Sequence, residues 1–583
     1  MQDLQKNDAR SYRMSLRIIG QLVDSGIKKI VVSPGFRNSP LLLAAHHNKS
    51  LEVISGVDER GAAFFALGCA KADRMAVAVL CTSGTAVGNY LPAVMESYHS
   101  NVPLVVITAD RPQEHSGIGA NQATNQIGIF KNHVLDFVDV QAPNDDFDYI
   151  NHAVFSVAKI VSKCLGPRSG PIHINVHFRE PFLPRAEIVE ALQVEEKSSS
   201  KWKIVRSSAG PGKEQLDAFL QMLKTADRPI FALGPAGYSQ ERLEKIAQLS
   251  DHLGIPVLAE ACSGIAFLGK NTPVNLLHRA DAVLTKMLAG ELSAPDLVIR
   301  FGAPLISKNY SRLLKTVQPV QIIFEEAGEA REPDLYPSIF FQGGTDGWLH
   351  TLDYSKVQPS VNHSWIENLK LAEKSIEESL DAHLKNFRDI SEWGFHRKLS
   401  QKISEESQIF LGNSMPIRDF LSVFPRSSNK YRIFSNRGLS GIDGLLASAL
   451  GVAFASHKET HAILGDLSTL HDLSSFSLLE DLRKSINFTL WVMNNGGGEI
   501  FRLVGTSKAG GEEAWFTTPK SFDLAALAKS FRIGFTRVHS SEELDAIGSD
   551  HFREPGARII EVMADPETNG KIREFFRSSS TQR

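Results

Sequence analysis

Gly465-Asp466 and, one strand further along, Asn494-Asn495-Gly496-Gly497 carry the clearest chemistry in the sequence. A carboxylate, an asparagine amide oxygen and a glycine carbonyl are hard oxygen donors. They suit Mg²⁺, which keeps a water and takes its other ligands from phosphate oxygens. To converge, they must sit at the carboxyl ends of strands in one parallel sheet, where open α/β folds bind ligands. Residues 461–465 read as a short buried strand ending at Asp466. Residues 467–483 have helical apolar spacing, and residues 487–493 read as the next strand, ending at the two asparagines. From spacing alone, either asparagine fits.

Strand-like and helical segments alternate through most of the chain, which implies an α/β fold with parallel sheets. With 583 residues the chain is too long for one core. Three consecutive blocks are expected, at residues 1–185, 210–355 and 365–583. Strands are predicted at residues 29–32, 53–57, 76–81, 103–108 and 171–176 in the first block, and at 229–233, 256–259, 296–301 and 320–324 in the second. In the third they are predicted at 408–411, 432–435 and 557–562, beside the two around Asp466. Residues 186–215 and 356–363 read as linkers.

Composition bounds the partners. A formal net charge of -3 offers no global attraction for nucleic acid or an anionic membrane, so an acidic substrate must be held by local arginines. The cysteines Cys69, Cys81, Cys164 and Cys262 lack metal-ligand spacing and read as buried thiols of a reducing compartment. Residues 1–13 are polar without a signal-peptide core, and no apolar run is long enough to span a bilayer. A cytoplasmic enzyme without membrane or nucleic-acid partners is expected.

With its flanking strands and glycine exit, the Asp466 unit resembles the diphosphate-binding motif of thiamine-diphosphate enzymes. Such enzymes need a carboxyl group that hydrogen-bonds N1′ of the cofactor's aminopyrimidine and favours the imino tautomer that deprotonates C2. Asp58-Glu59-Arg60-Gly61-Ala62-Ala63, directly after the strand at 53–57, places Glu59 at a helix start. Alone, an acid there merely complements the helix dipole; paired with Asp466 it reads as the catalytic glutamate. The three blocks resemble the pyrimidine-binding, central and diphosphate-binding domains of the superfamily, each a doubly wound parallel sheet. There the cofactor bridges the first domain of one subunit and the third of another. The resemblance thus implies a homodimer or dimer of dimers with active sites at the subunit interface.

Further motifs narrow the resemblance. They are Ser33-Pro34-Gly35-Phe36-Arg37-Asn38, Thr82-Ser83-Gly84-Thr85, Asp110-Arg111-Pro112, Asn121-Gln122, Gly412-Asn413-Ser414-Met415-Pro416-Ile417-Arg418, and the run from Asn436-Arg437-Gly438 to Ile442-Asp443-Gly444. In number, order and placement after strands they are similar to the 2-succinyl-5-enolpyruvyl-6-hydroxy-3-cyclohexene-1-carboxylate synthase family of menaquinone biosynthesis, over the first and third blocks more than the middle one. The resemblance implies thiamine-diphosphate-dependent decarboxylation of 2-oxoglutarate and conjugate addition of the succinyl carbanion to isochorismate. It also implies roles: Asp466, Asn495 and the Gly497 carbonyl hold Mg²⁺, with Mn²⁺ an alternative ion. Gly465, Leu467, Ser468, Ser414 and Ile500 contact the cofactor, and Ile442 props its two rings into a V. Arg418, Arg437 and Ser414 take the succinyl-derived group; Arg37, Arg111, Gln122 and Lys308 take isochorismate; Ile500 and Phe501 wall the reacting carbon. Arginine fits because its planar fork pairs bidentately with carboxylates.

Two positions depart from the family pattern. Phe36 replaces a small hydroxyl residue expected to touch an isochorismate carboxylate, and Asn309 stands where some relatives have arginine. The expectation is that the Phe36 ring turns away and Arg37 carries the contact. Competing readings are another thiamine-diphosphate decarboxylase or acetolactate-type carboligase, which leaves the arginines unexplained, and a binding-only homologue, against which Glu59 and the metal ligands argue. A nicotinamide enzyme is disfavoured because Gly234-Pro235-Ala236-Gly237 is not the dinucleotide fingerprint.

Overall fold

The structure is a computed structural model that describes residues 7–166, 168–197, 201–205, 210–325, 330–342, 345–352, 361–385, 390–503 and 513–578. Its strands form three six-stranded sheets in which all neighbours are parallel. The first contains β1 (Lys29–Val32), β2 (Glu52–Ser55), β3 (Val77–Cys81), β4 (Leu104–Asp110), β5 (Phe137–Val140) and β6 (Pro171–His177), in the order β2-β1-β3-β4-β6-β5. The second contains β7 (Pro229–Leu233), β8 (Val257–Ala259), β9 (Leu276–Leu277), β10 (Leu297–Phe301), β11 (Val320–Glu325) and β12 (Ile339–Gln342), in the order β12-β11-β10-β7-β8-β9. The third contains β13 (Gln408–Leu411), β14 (Arg432–Phe434), β15 (Thr460–Gly465), β16 (Asn487–Asn494), β17 (Gly534–Val538) and β18 (Gly556–Met563), in the order β14-β13-β15-β16-β18-β17. The first and third sheets therefore share one winding. Chain order reverses between β1 and β3, between β7 and β10, and between β13 and β15, opening a crevice at each carboxyl edge.

Interior strands such as β3, β4 and β6 are buried along their whole length, as parallel strands covered by helices on both faces must be. The four strands not predicted from the sequence, β5, β9, β12 and β17, all lie at sheet edges. Two other segments differ from expectation. The helical stretch at 467–483 is broken into Asp466–His471, Leu473–Ser475 and Phe476–Leu482. The break falls at Asp472, whose buried carboxylate accepts from the Ala447 backbone N–H (3.0 Å) and the Ser475 hydroxyl (2.9 Å). Of the expected linker at 186–215, Ala186–Lys197 is a helix that packs Leu192 into the first core, with Gln193 donating to the Tyr12 hydroxyl (3.2 Å). In the other expected linker, residues 356–360 lie outside the described residues.

The described residues divide into two compact units. One comprises 1–207, 436–456 and 472–481; the other comprises 208–435, 457–471 and 482–583. The first unit holds the first sheet and a close crossing of helices Glu59–Asp73 and Leu445–Ser456. Small residues permit it: a Cβ on Gly68 would lie 2.0 Å from the Ser448 carbonyl oxygen, and one on Gly451 would lie 2.1 Å from that of Phe65. The Ser448 hydroxyl donates to the Phe64 carbonyl across the crossing (3.1 Å). The second unit holds the second and third sheets, joined by Phe267 packed among Phe420, Phe424 and Tyr431 and by Arg279 donating to the Phe424 carbonyl (3.0 Å).

Candidate active site

In the second unit, β15 pairs with β16 in a register that sets Gly465 opposite Met493, so Asp466 and the asparagines leave the sheet side by side. Asp466 is 2% exposed. Its Oδ1 accepts from the Leu467 N–H (2.7 Å), while Oδ2 is buried without a hydrogen-bond partner. Burial pushes this carboxyl up to about 6 although the backbone N–H groups of Leu467, Gly496 and Gly497 pull it down. The asparagines divide their work. Asn494 is spent on structure, donating to Glu561 (2.7 Å) and accepting from the Gly496 N–H (3.2 Å). Asn495 donates from Nδ2 to Glu392 (2.6 Å), and its Oδ1 is buried without a partner. Unpaired buried oxygens are costly, and both are of the type that could ligate a hard cation. The Gly497 carbonyl accepts from Glu499 N–H (3.0 Å), which leaves it a second lone pair. Gly497 has φ +147, and a Cβ there would lie 2.6 Å from the Thr517 carbonyl. Space is open around Gly465, where an added Cβ would meet nothing within 4 Å. Ser468 is buried on the short helix that Asp466 begins. Among the described residues no cluster of three or more His, Cys, Asp or Glu side chains could hold a metal ion.

In the first unit, Glu59 opens helix Glu59–Asp73 behind its cap Asp58, and its Oε2 accepts from Asn89 Nδ2 (3.2 Å). Ile442 lies just before the helix that crosses Glu59's own, 37% exposed despite its aliphatic side chain. Gly444 is obligatory there: its φ is +62, and a Cβ would lie 1.9 Å from the Phe64 ring. Glu96 holds the loop carrying Arg437. Its buried carboxylate accepts from the Gly438 N–H (2.9 Å) and the Leu439 N–H (2.8 Å), with Lys71 alongside at 3.5 Å.

The first unit also gathers three of the four residues expected at isochorismate, Arg37, Arg111 and Gln122. Arg37 follows β1, and burial together with the neighbouring Arg111 cation lowers its guanidinium pKa. It donates to the Phe178 carbonyl (2.9 Å), pairs with Glu180 (3.3 Å) and lies over the Phe182 ring. Arg111 Nη1 donates to the Ser83 hydroxyl and the Gln122 carbonyl. Gln122 adopts φ 54 and returns Nε2 to the Ser83 carbonyl (3.1 Å). Behind them Gln126 links Asn175 (2.9 Å) to the Gly84 N–H (3.2 Å). Phe36 is 67% exposed and packs edge-on against Phe182 at 5.0 Å, so consecutive residues Phe36 and Arg37 contact one ring.

The remaining residues lie in the second unit. Ser414 has φ 69 at the end of β13, and its carbonyl accepts from the exposed Arg418 one helical turn later. Lys308 begins helix Lys308–Val317 after β10 and is exposed. Asn309 is tied to Asp281 (3.1 Å) and Thr285 (3.0 Å). Ile500 and Phe501 form the short helix Ile500–Leu503 beyond the glycines, with Phe501 facing Phe516 at 6.3 Å.

Comparison with known proteins bears on this arrangement. Residues 13–129 match the family described as thiamine pyrophosphate enzyme, N-terminal TPP binding domain; residues 232–411 match the middle domain of thiamine pyrophosphate, and residues 419–562 match the C-terminal TPP binding domain. The 2-succinyl-5-enolpyruvyl-6-hydroxy-3-cyclohexene-1-carboxylate synthase of Geobacillus kaustophilus (strain HTA426) is 33% identical over 568 residues, 95% of each chain. The protein of the same name from Enterococcus faecalis (strain ATCC 700802 / V583) is 32% identical over 95% of this chain and 94% of its own. The chain belongs to the 2-succinyl-5-enolpyruvyl-6-hydroxy-3-cyclohexene-1-carboxylate synthase family. For a member of this synthase family, the matched segments reach strands of all three sheets, although the first ends before β5 and β6 and the middle one includes β13, and the chain is a thiamine-diphosphate-dependent enzyme of the transferase type. No helix among the described residues is long and apolar enough to cross a membrane. Within each unit the structure brings together residues the sequence singled out separately: Asp466 with Asn495, Arg37 with Arg111 and Gln122, and Ser414 with Arg418. Glu96 and Glu392, which touch the synthase loops through hydrogen bonds, have no motif in the sequence and were not foreseen.

Proposed function

We propose that this chain removes carbon dioxide from 2-oxoglutarate and adds the remaining succinyl unit to isochorismate, yielding 2-succinyl-5-enolpyruvyl-6-hydroxy-3-cyclohexene-1-carboxylate for menaquinone biosynthesis. One observation carries the reading: in a chain of this family, Asp466 Oδ2 and Asn495 Oδ1 are both buried and unpaired, on segments that leave adjacent strands at one sheet's carboxyl edge. Thiamine diphosphate, when bound, supplies the carbon nucleophile and the electron sink. Asp466, Asn495 and the Gly497 carbonyl would hold Mg²⁺, or Mn²⁺, for the diphosphate. Gly465, Leu467, Ser468 and Ser414 bound the same ligand. Glu59 would share a proton with the aminopyrimidine N1′ of the bound cofactor, and Ile442 would be its aliphatic support. Ile500 and Phe501 keep water from the reacting carbon.

The remaining residues bind and orient acids. Arg418 and Arg437 take the 2-oxoglutarate carboxylates. Arg37, Arg111, Gln122 and Lys308 take isochorismate, the first three from one cluster. Holding both reactants at fixed carboxylates turns a bimolecular addition into an oriented one. Glu59 of one subunit and Asp466 of another would serve one cofactor, as the family resemblance implies, and the working species on this reading is at least a homodimer. The free cysteines Cys69, Cys81, Cys164 and Cys262 support a reducing, cytoplasmic setting.

Incubating the protein with thiamine diphosphate, Mg²⁺ and 2-oxoglutarate, with and without isochorismate, tests the reading. Stoichiometric loss of both acids with release of carbon dioxide is expected. Decarboxylation that never consumes isochorismate would assign the chain to another carboligase, and no turnover at all would leave a binding homologue.

A further inference from the structure

An asparagine amide has two ends, and only the oxygen can ligate a cation. Something must therefore decide which way Asn495 points. Its Nδ2 donates to Glu392 Oε1 at 2.6 Å. Glu392 is 3% exposed, and its backbone N–H donates to Asn569 Oδ1 (2.9 Å), which fixes the residue at the start of helix Glu392–Leu399. Its second oxygen, Oε2, accepts from Arg573 Nη2. The same Arg573 nitrogen reaches Asp419 Oδ2, and Asp419 Oδ1 accepts from Trp393 Nε1 (2.9 Å). Both Glu392 oxygens are thus acceptors. The end of Asn495 facing this acceptor is the NH₂.

We propose that Glu392 is a positioning residue of the cation site: it turns the Asn495 amide so that Oδ1 faces the ligand, while Arg573 and Asp419 hold Glu392 in place. The inference rests on Asn495 being a cation ligand. It adds a buried network that joins three distant parts of the second unit, residues 392–419, Asn495 and the C-terminal helix Pro566–Ser578. Such outer partners orient ligands and commonly matter almost as much as the ligands themselves. Metal-site supports of this kind are invisible to a motif, because Glu392 lies 103 residues from Asn495.

The consequence for substitution is specific. In Glu392→Gln the new carbonyl must face the Arg573 donor, which leaves the new NH₂ facing Asn495. The Asn495 amide then turns over to accept that bond and presents NH₂ to the cation. Aspartate at 495 escapes the problem, because a carboxylate accepts at both ends.

The test is Mn²⁺ titration of the full-length protein with thiamine diphosphate, followed by electron paramagnetic resonance, with thermal unfolding recorded for each variant. Glu392→Gln should weaken Mn²⁺ binding roughly ten- to a hundred-fold. The double variant Glu392→Gln/Asn495→Asp should recover most of that loss. Wild-type affinity in Glu392→Gln, or a double variant no better than the single one, overturns the proposal. Asp466→Ala separates the underlying reading: if it binds Mn²⁺ like wild type, no cation sits here and the functional reading fails first. Should Glu392→Gln not fold, the wild-type protein still decides. The Asn495 side-chain NH₂ resonances, assigned by their loss in Asn495→Asp, should show the slow hydrogen exchange of a buried donor; fast exchange overturns the proposal.

Discussion

The first and third sheets wind identically and present opposite chemistry at the same topological place. Where the first reverses, loops after β1, β3 and β4 gather Arg37, Ser83 and Arg111. Where the third reverses, segments after β13, β15 and β16 offer the Ser414 carbonyl, Asp466 and Asn495. One edge collects cations and the other collects oxygens. Strand order chooses the place; loop residues choose the ligand. The same comparison extends to helices. The helix after β2 begins with Glu59, and its counterpart after β14 is preceded by Ile442; these two helices cross in the first unit.

The largest break in this comparison should come from removing the carboxylate that opens the helix after β2. Glu59→Gln keeps the shape of the first edge and leaves the oxygens of the third untouched. The variant should fold and bind thiamine diphosphate yet lose exchange of the cofactor's C2 proton, read by NMR, by orders of magnitude. Near-normal exchange would remove Glu59 from the reaction.

Arg418→Ala tests the cationic residue that the oxygen-rich edge does carry. A charge-assisted hydrogen bond is worth about 1.5–3 kcal/mol, so 2-oxoglutarate should bind roughly ten- to hundred-fold more weakly. Pyruvate, without the distal carboxylate, should be almost unaffected. Equal losses for both acids would make Arg418 a holder of the shared carboxylate or of its own helix.

The helix crossing is sharpened by Gly68→Ala. The new methyl would meet the Ser448 carbonyl at 2.0 Å, a backbone atom that cannot step aside, whereas a Cβ on Gly88 would meet nothing within 4 Å. Thermal or denaturant unfolding should show a loss of about 1–3 kcal/mol for Gly68→Ala. Gly88→Ala should lose little or gain stability, since helical glycine costs up to about 1 kcal/mol relative to alanine.

Phe36→Ser is the smallest effect. The exposed ring packs on Phe182 and leaves Arg37 in place, so a hydroxyl should lower the isochorismate KM by no more than about tenfold, the worth of one ordinary hydrogen bond. A chain that consumes isochorismate only after this change would have a different natural acceptor.

Legibility followed physical causes. Strands β3, β4, β6 and β7 are buried on both faces and read as continuous apolar runs. The missed edge strands lack that signal: β17 has only Val538 buried, β5 only Val140, and β9 has two residues. The helix at 467–483 carried the right apolar spacing, but Asp472 takes two hydrogen bonds that end one segment and start another. In the site, Asp466 and Asn495 were legible because ligand and exit glycines sit together in sequence. Choosing Asn495 over Asn494 needed the family pattern; in the structure Asn494 is tied to Glu561 and the Gly496 N–H, while Asn495 Oδ1 has no partner. Glu96 was hidden because it binds backbone N–H groups 342 residues away, through a contact with no side-chain signature at the far end.

The central claim is that the oxygen edge holds a divalent cation that in turn holds thiamine diphosphate. Calorimetric titration of the cofactor into wild-type protein and Asp466→Ala, each with and without Mg²⁺, tests it most directly. Wild type should bind thiamine diphosphate tightly only with Mg²⁺, and Asp466→Ala should lose that metal-dependent binding while its fold remains. Equal, metal-dependent cofactor affinity in the two proteins would contradict the account.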